Sequence, residues 1–483
     1  MRGMVVLLLV VLMWTPLWAQ HPGFGSLIYP EKLRTDADLL RQAIHQAHPD
    51  PYRYITRGEL DSAFDLLIEE LREPLTSDRF LARLMPVIAR IGDSNLRVDL
   101  DPSAWARILR ESTLLPFNVR VIEQRLYVGE ELKGFRSFAP GARIVSINGI
   151  NADRIIRDLG QWVATDGTNE TWRRYQVQER FALLFLLTYG PSKVFVVETE
   201  GVDGMRREDV VAGLMQEDIE RSRKPNGVML HPLRSTWDAE VGALWIELTT
   251  LEPEALKRSG QKPKVFLDAV LAQARAEKAK VIVLDLRGAG GKELGMAEWV
   301  FAAIAKEPFR LVQDITVRAT QPHALPGAVA VPDEFTASVD RSYLPSQNGS
   351  ASLRPDDPRL ALVTPSRHAF AGKVYVVCDG GTRDAAAMLA MVAHRSGRAR
   401  LVGEEPATNA HSFTGGRNAV VTAPNSGLHL EIPLLRYIPE GVSAAAIDRG
   451  EQPKHSVAQS PGALVTGRDE VRSALLRLLR ELH

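Results

Sequence analysis

The chain has 483 residues, of which 45% are hydrophobic and 24% are charged, and its 59 basic residues balance its 59 acidic ones. A net charge of zero predicts no general attraction to nucleic acid or to an anionic membrane surface. This ordinary composition argues against extended disorder, and the length predicts about three domains of roughly 150 residues each.

The N-terminus differs in character from the rest of the chain. Arg2 precedes a continuous apolar run from Met4 to Trp14, and Ala19 supplies a small residue soon after it. This order predicts a cleavable signal peptide over residues 1–19. A membrane anchor is the alternative, but spanning takes about 20 apolar residues and the run is shorter. The sequence therefore predicts a secreted or periplasmic protein without a stable membrane span.

Apolar periodicity divides the remaining chain into three regions. Residues 28–100 repeat apolar side chains at helical spacing, which predicts an N-terminal helical domain. Residues 114–212 contain short β-type runs separated by turns, which predicts a small β-rich module with an inserted helical stretch. Residues 235–475 alternate apolar strands with helices, which predicts an α/β domain with a largely parallel sheet. Within this domain, the polar residues 320–360 are predicted to form a long surface excursion.

Two glycine-containing turns follow predicted buried strands of the α/β domain. The first, residues 285–291, reads Asp-Leu-Arg-Gly-Ala-Gly-Gly, and the second, residues 380–384, reads Gly-Gly-Thr-Arg-Asp. Glycines let backbone N–H groups approach a ligand, and a following helix N-terminus favours negative charge. We expect the two turns to lie close together. Each is also consistent with an ordinary strand-to-helix turn. In the second turn, Asp384 would then serve as the helix N-cap.

The sequence predicts no cofactor and no metal site. The only cysteine, Cys378, ends an apolar run and is predicted to be a small buried residue rather than a nucleophile. No His-x-x-x-His spacing that would indicate a pair of metal ligands on a helix occurs in the chain.

Six short motifs follow one another along the chain, and each is weak by itself. They are His48-Pro, Ile91-Gly-Asp, the run from Pro140 to Gly149, Asp285-Leu-Arg-Gly-x-Gly-Gly, Gly380-Gly-Thr and Val402-Gly-Glu. In this order they resemble the tail-specific (C-terminal-processing) serine protease family. The resemblance implies a crotonase-like α/β catalytic core with an N-terminal helical domain and a PDZ-like β module. It also implies cleavage of peptide bonds near C-termini.

The catalytic positions that the resemblance implies hold other residues in this chain. Asp384 stands where the family has its nucleophilic serine, Asn95 where one branch has a histidine, and Asn409 where another branch has a lysine. The family's Asn between the glycines is Ala289, and its Glu after the serine is Ala387. Neutral amides cannot take up a proton near neutral pH, and a carboxylate beside the oxyanion site would repel a tetrahedral intermediate.

The resemblance implies that Arg287, Gly290, Gly291, Gly381 and Ala385 line the peptide-binding and oxyanion-binding part of the cleft. With the catalytic positions substituted, the sequence predicts a secreted, catalytically degenerate protein that binds peptide or protein C-terminal tails. The PDZ-like module would add a binding surface by strand augmentation.

Two enzymatic alternatives remain open at this point. One is an active serine-type peptidase with a relocated nucleophile, such as Ser412 or Ser443. The other is a hydrolase of a different substrate that uses Asp384 together with His411 or Glu405, because carboxylates serve as nucleophiles in glycosyl and phosphoryl transfer.

Overall fold

The computed structural model describes residues 23–131, 138–139, 141–223, 231–318, 329–331, 333–346, 349–442 and 448–481. The predicted signal peptide lies outside these residues. Within them, no helix combines the length and the apolar character needed to cross a membrane.

The N-terminal region is helical, as its apolar periodicity predicts. α1 buries Leu33, Leu40 and Ile44 along one face, and α2 begins with a capping box formed by Thr56 and Glu59. The elements are α1 (Pro30–Ala47), α2 (Arg57–Glu70), α3 (Ser77–Ala89), β1 (Arg97–Asp99) and α4 (Pro102–Glu111).

The middle region contains an antiparallel sheet of order β2-β3-β4-β6-β7, with β5 paired to β4. The inserted helices include α7, which is apolar along its whole length and is mostly buried. The elements are β2 (Phe117–Ile122), β3 (Arg125–Glu131), β4 (Arg143–Ile147), β5 (Ile150–Asn151), α5 (Ala152–Gly160), α6 (Glu170–Glu179), α7 (Phe181–Tyr189), β6 (Val194–Glu200), β7 (Arg206–Ala212) and α8 (Gln216–Arg223).

The C-terminal region begins with strands and helices that alternate as predicted. Its first half contains β8 (Leu233–Asp238), β9 (Ala243–Leu248), α9 (Pro253–Arg258), α10 (Pro263–Ala276), β10 (Val281–Asp285), α11 (Gly295–Ala302), β11 (Val312–Arg318), β12 (Val329–Ala330), α12 (Asp333–Ser342), β13 (Tyr343–Pro345) and β14 (Ser350–Leu353). Its second half contains a 3₁₀ turn (Pro358–Leu360), β15 (Lys373–Cys378), α13 (Asp384–Arg395), β16 (Arg400–Gly403), β17 (Phe413–Thr422), β18 (His429–Pro439), β19 (His455–Ser456), α14 (Pro461–Thr466) and α15 (Glu470–Arg480).

One sheet of this region is largely parallel and has the order β19-β16-β15-β10-β9-β8, in which only the β8–β9 pair is antiparallel. Every residue of β10 is buried, as expected for a strand covered on both faces. α15 packs Leu475 and Leu479 against Trp245 and Tyr375 on one face of this sheet. The described residues therefore form the α/β fold that the sequence predicts.

The same region contains a second sheet that the sequence did not predict. It is antiparallel, has the order β12-β17-β18-β11-β14-β13, and is built around the long β17–β18 pair. Part of the predicted surface excursion, residues 320–360, supplies β12, α12, β13 and β14 to this layer. The local apolar pattern did not separate the two sheets, because strand pairing is set by distant partners.

Three contacts join the regions around the second sheet. β1 pairs antiparallel with β18. The buried Asp36 of α1 accepts hydrogen bonds from the backbone N–H groups of Asn425 and Ser426, at 3.2 and 2.6 Å. Asn169, at the start of α6, donates to the Pro406 carbonyl at 2.7 Å. These contacts hold the N-terminal and middle regions against the C-terminal region.

Candidate functional site

The turn between β15 and α13 has the geometry of a strained elbow. Asp384 has a φ of +52°, in the left-handed region that residues with a Cβ seldom adopt. Its backbone N–H donates to Thr408 Oγ1 at 2.7 Å, which helps to hold this conformation. The side chain therefore leaves the chain at a sharp turn above the helix N-terminus.

The two glycine-containing turns are hydrogen-bonded to each other. Arg383 donates its backbone N–H to the Ala289 carbonyl at 2.9 Å, and Ala385 donates to the Gly291 carbonyl at 3.1 Å. The expectation that residues 285–291 and 380–384 lie close together is confirmed.

Asn95 and Asp384 are in direct contact, although 289 positions separate them in sequence. Asn95 Nδ2 donates to Asp384 Oδ1 at 3.0 Å and to the Thr414 carbonyl at 2.9 Å. The predicted convergence of these two residues is confirmed. The second carboxylate oxygen of Asp384 forms an ion pair with Arg383 Nη1 at 2.6 Å.

Buried carboxylates support the loop that carries Asn95. Asp93 accepts hydrogen bonds from His48 Nε2 at 2.8 Å, from Thr414 Oγ1 at 2.6 Å and from the Asn95 backbone N–H at 2.7 Å. Burial opposes ionisation of Asp93, but the contacts with His48 outweigh it and hold the pKa of Asp93 below its ordinary value. Asp93 therefore keeps its charge beside the cleft.

Asp166 holds the same loop from the side of the middle region. It accepts from the backbone N–H groups of Ser94 at 2.8 Å and of Asn409 at 3.1 Å. Burial and the charge of Asp93 raise the pKa of Asp166 to about 6. Two neighbouring carboxylates thus hold the Asn95 loop with opposite tendencies to ionise.

Asn409, which the resemblance places at an alternative base position, turns toward the N-terminal region. Its Nδ2 donates to Tyr54 Oη at 2.8 Å, and its Oδ1 accepts from Arg53 Nη2 at 2.8 Å and from the His411 backbone N–H at 2.7 Å. Its neighbour Thr408 is the residue that contacts Asp384. The amide of Asn409 thereby links the loop after β16 to the N-terminal region.

The residues predicted to bind a peptide and an oxyanion have protein partners. Ala385 uses its N–H on Gly291, and Gly381 donates its N–H to Asp379 Oδ1 at 2.9 Å. Gly290 lies beneath the Arg383 side chain, since a Cβ at Gly290 would stand 2.9 Å from the Cγ and Cζ atoms of that arginine. The N–H groups of Gly381 and Ala385 are therefore occupied in this conformation.

Arg287 pairs with two carboxylates, Asp285 at 2.6 Å and Asp469 at 2.9 Å. Burial opposes its charge, but the two carboxylates prevail and raise the pKa of Arg287. Its guanidinium borders a cavity of about 1530 Å³ between the middle region and the carboxyl ends of β10, β15 and β16. Arg174 and Glu404, which form an ion pair at 2.8 Å, also line this cavity.

The groups proposed for the enzymatic alternatives lie in buried networks. Ser412 is fully buried, and its Oγ accepts a hydrogen bond from Arg436 Nε at 2.9 Å. The Glu405 carboxylate accepts from Arg449 Nη2 and from the Gly450 backbone N–H, both at 2.7 Å. Ser443 lies outside the described residues.

Two further predictions concern cysteine and metals. Cys378 is buried, as predicted, and burial raises the pKa of its thiol well above the ordinary value. Among the residues that the structure describes, no three His, Cys, Asp or Glu side chains are grouped so that they could hold a metal ion.

Sequence reasoning missed Arg383, Thr408 and Thr414 as neighbours of the cleft. The signal for Arg383 was present, because an arginine directly before a carboxylate at a turn can pair with it. No sequence signal connects Thr414 with Asp93, which is 321 positions away.

Comparison with known proteins gives a family match for part of the chain and a similar fold. Residues 246–453 match the sequence profile of peptidase family S41. The chain is similar to the crystal structure of mature CPAF, with 12% identity, a TM-score of 0.63, and coverage of 93% of this chain and 96% of that one. It is also similar to mature CPAF complexed with lactacystin, with 12% identity, a TM-score of 0.64, and coverage of 94% and 98%. At this identity the likeness shows the fold. No curated protein matches the sequence.

Proposed function

Because residues 246–453 place the α/β core in peptidase family S41, the tail-specific proteases, we propose that this chain binds extended peptides in the Asp384 cleft without cleaving them. One observation carries the proposal. Asp384 occupies the strained elbow, accepts a hydrogen bond from the neutral amide of Asn95, and is paired with Arg383.

The chemistry of Asp384 and Asn95 argues against acyl transfer. Serine-type cleavage needs a nucleophile and a base that takes its proton. The Asn95 amide donates a hydrogen bond and has no affinity for a proton near neutral pH. A carboxylate at position 384 would also repel the negative charge of a tetrahedral intermediate. The N–H of Ala385, a donor that such an intermediate would need, is already bonded to Gly291.

The choice of peptides as ligands is supported by the family, whose substrates are peptides and proteins. We propose C-terminal tails as the preferred ligands. The middle region would act as a PDZ-like module, in which a ligand strand adds to an edge of the antiparallel sheet. β2 and β7 are the edge strands of the described part of that sheet.

We propose that the protein is exported, on the basis of the N-terminal residues 1–19. Expression of the full chain in a bacterial host, followed by fractionation and N-terminal sequencing of the product, tests this. A mature N-terminus near Gln20 in the periplasm or medium supports export. An intact Met1 in the cytosol contradicts it.

The test of the proposed function combines an activity probe with a binding assay. A fluorophosphonate reports an activated serine, so we expect no labelling of the purified protein and no hydrolysis of unstructured peptides. Fluorescence anisotropy should nevertheless detect binding of the same peptides. Stoichiometric labelling of any serine would establish the relocated-nucleophile peptidase, and absence of all peptide binding would contradict the proposed function.

A further inference from the structure

We propose that the Asp384 cleft selects peptides with a positively charged side chain, which displaces Arg383 and takes its place on the Asp384 carboxylate. This inference rests on the proposed function, because it names the ligand chemistry of the same site.

The buried carboxylate of Asp384 needs a cationic partner. The residue is only 5% exposed, and a buried carboxylate needs a hydrogen-bonded cation to compensate its charge. Asn95 supplies a neutral amide N–H, which solvates one oxygen but brings no charge. The ion pair with Arg383 supplies the compensating charge at the other oxygen.

Arg383 is placed where an incoming ligand would meet it. Its side chain lies across Gly290, so it covers both the glycine turn and the outer oxygen of the carboxylate. The side chain is 44% exposed, and it can therefore swing into solvent without losing a buried environment. A peptide that enters along the glycine turn must move this side chain aside.

The charge of the entering group determines the free-energy cost of displacing Arg383 from Asp384. A neutral or acidic side chain would leave the Asp384 carboxylate buried without a cation, which is strongly unfavourable. A lysine or arginine side chain restores the ion pair in the same place. Since one charge-assisted hydrogen bond replaces another, we expect a moderate selectivity of about tenfold rather than an absolute one. A C-terminal carboxylate would be repelled by Asp384, so the end of a tail would lie elsewhere in the cleft.

The experiment uses the full chain and three fluorescein-labelled peptides that differ only in a central Lys, Gln or Glu. We expect the dissociation constant to be about tenfold lower for the Lys peptide than for the Gln peptide, and higher for Glu than for Gln. Added salt should reduce the difference in affinity between the Lys and Gln peptides. The cation of the ligand replaces the exposed cation of Arg383, and dissolved ions screen its attraction to the carboxylate.

Two variants assign the selectivity to this ion pair. Asp384→Asn should bring the Lys and Gln peptides within about twofold of each other, because the neutral amide no longer requires a cation. Arg383→Gln removes the competing cation, so it should tighten binding of the Lys peptide more than that of the Gln peptide. Arg110→Gln, at an exposed position on α4, is the matched control and should change neither constant.

The outcomes test the charge selectivity separately from the proposed function. Equal binding of the Lys and Gln peptides by the unmodified protein overturns the charge selectivity while the proposed function stands. An unchanged preference for Lys in Asp384→Asn also overturns it, because another carboxylate would then be responsible. If Asp384→Asn fails to fold, the response of Arg383→Gln decides alone, and a parallel effect on both peptides contradicts the proposal. Absence of binding by all three peptides overturns both proposals.

Discussion

At the scale of single residues, Asp384 combines two unfavourable features that its neighbours offset. Its φ of +52° strains the backbone, and its carboxylate is buried. Thr408 holds the backbone by accepting the N–H, while Asn95 and Arg383 solvate the carboxylate. The elbow thus keeps the shape that presents a reactive group, but presents an ion-paired carboxylate.

A pair of substitutions separates the two features. Asp384→Ala removes the carboxylate and keeps a Cβ in the left-handed region, whereas Asp384→Gly removes the carboxylate and relieves the strain. We expect the glycine variant to be more stable than the alanine variant by about 1 kcal/mol in urea unfolding. Equal stabilities would show that the backbone relaxes out of the left-handed region once the carboxylate is gone.

The proposed absence of a catalytic base can be tested by introducing one. Asp384→Ser alone should react with a fluorophosphonate no faster than ordinary serines, because Asn95 cannot accept its proton. Asp384→Ser combined with Asn95→His should react roughly a hundredfold faster, within the range of general-base catalysis. Asn95→His alone is the control and should remain unlabelled. Rapid labelling of the Asp384→Ser single variant would show that another base already reaches the elbow.

At the scale of elements, close backbone contacts position the two strand-end turns. Gly380 follows β15 and packs against the start of α6, where a Cβ would stand 2.3 Å from the Thr171 carbonyl oxygen. Contacts this close require glycine, since no side chain fits between the two backbones. The middle region is thereby held directly against the turn that leads to Asp384.

The contact at Gly380 leads to a prediction about stability. Gly380→Ala should destabilise the protein by about 1–3 kcal/mol, because the methyl group overpacks a backbone contact. Gly295→Ala is the matched control, since its Cβ would meet nothing within 4 Å at the first residue of α11. It should leave stability unchanged or raise it by up to about 1 kcal/mol, as alanine favours helices. Thermal unfolding of both variants checks the contrast.

At the scale of the whole molecule, Asp384 and its neighbours come together because three regions meet. The N-terminal region contributes Asn95, the middle region contributes Asp166, and the α/β region contributes Asp384 and Thr414. Asp93 and Asp166 lie at this junction, where the groups that face them from neighbouring elements are His48, Asp50, Arg53, Tyr54 and Arg436. The junction is therefore sensitive to protonation.

The raised pKa of Asp166 predicts a pH dependence of stability. The folded protein holds this proton up to about pH 6, whereas an unfolded Asp releases it near its ordinary value of 3.8. The folded state therefore binds more protons in this window, and Asp166 lowers the unfolding free energy as pH rises from about 4 to 6, by about 3 kcal/mol at most. Asp93, with its lowered pKa, acts in the opposite sense and only below its ordinary value.

Asp166→Asn tests this dependence through urea unfolding at pH 5 and pH 7.5. The variant loses a constant amount of stability at both pH values, because an amide cannot accept both backbone hydrogen bonds. The unmodified protein, however, loses stability between pH 5 and pH 7.5. The stability of the variant relative to the unmodified protein should therefore be greater at pH 7.5 than at pH 5. A difference between the two proteins that does not change with pH would mean that Asp166 titrates normally.

The sequence alone determined the helices, the buried strands, the two glycine-containing turns and the order of motifs that resembles the tail-specific proteases. These features depend on local periodicity and on residue types at short spacing, which are present in the sequence whatever the tertiary contacts. The same resemblance implies that Asn95, Asp384 and Asn409 stand at catalytic positions of the family.

The tertiary structure decided which of these residues meet. The Asn95–Asp384 contact spans 289 positions, and the direction of the Asn409 amide depends on Tyr54 from a different region. The antiparallel sheet around β17 and β18 also had to be seen, because strand pairing is set by distant partners rather than by local pattern. Arg383 could reach either solvent or Asp384, and only the packing across Gly290 placed its guanidinium on the carboxylate.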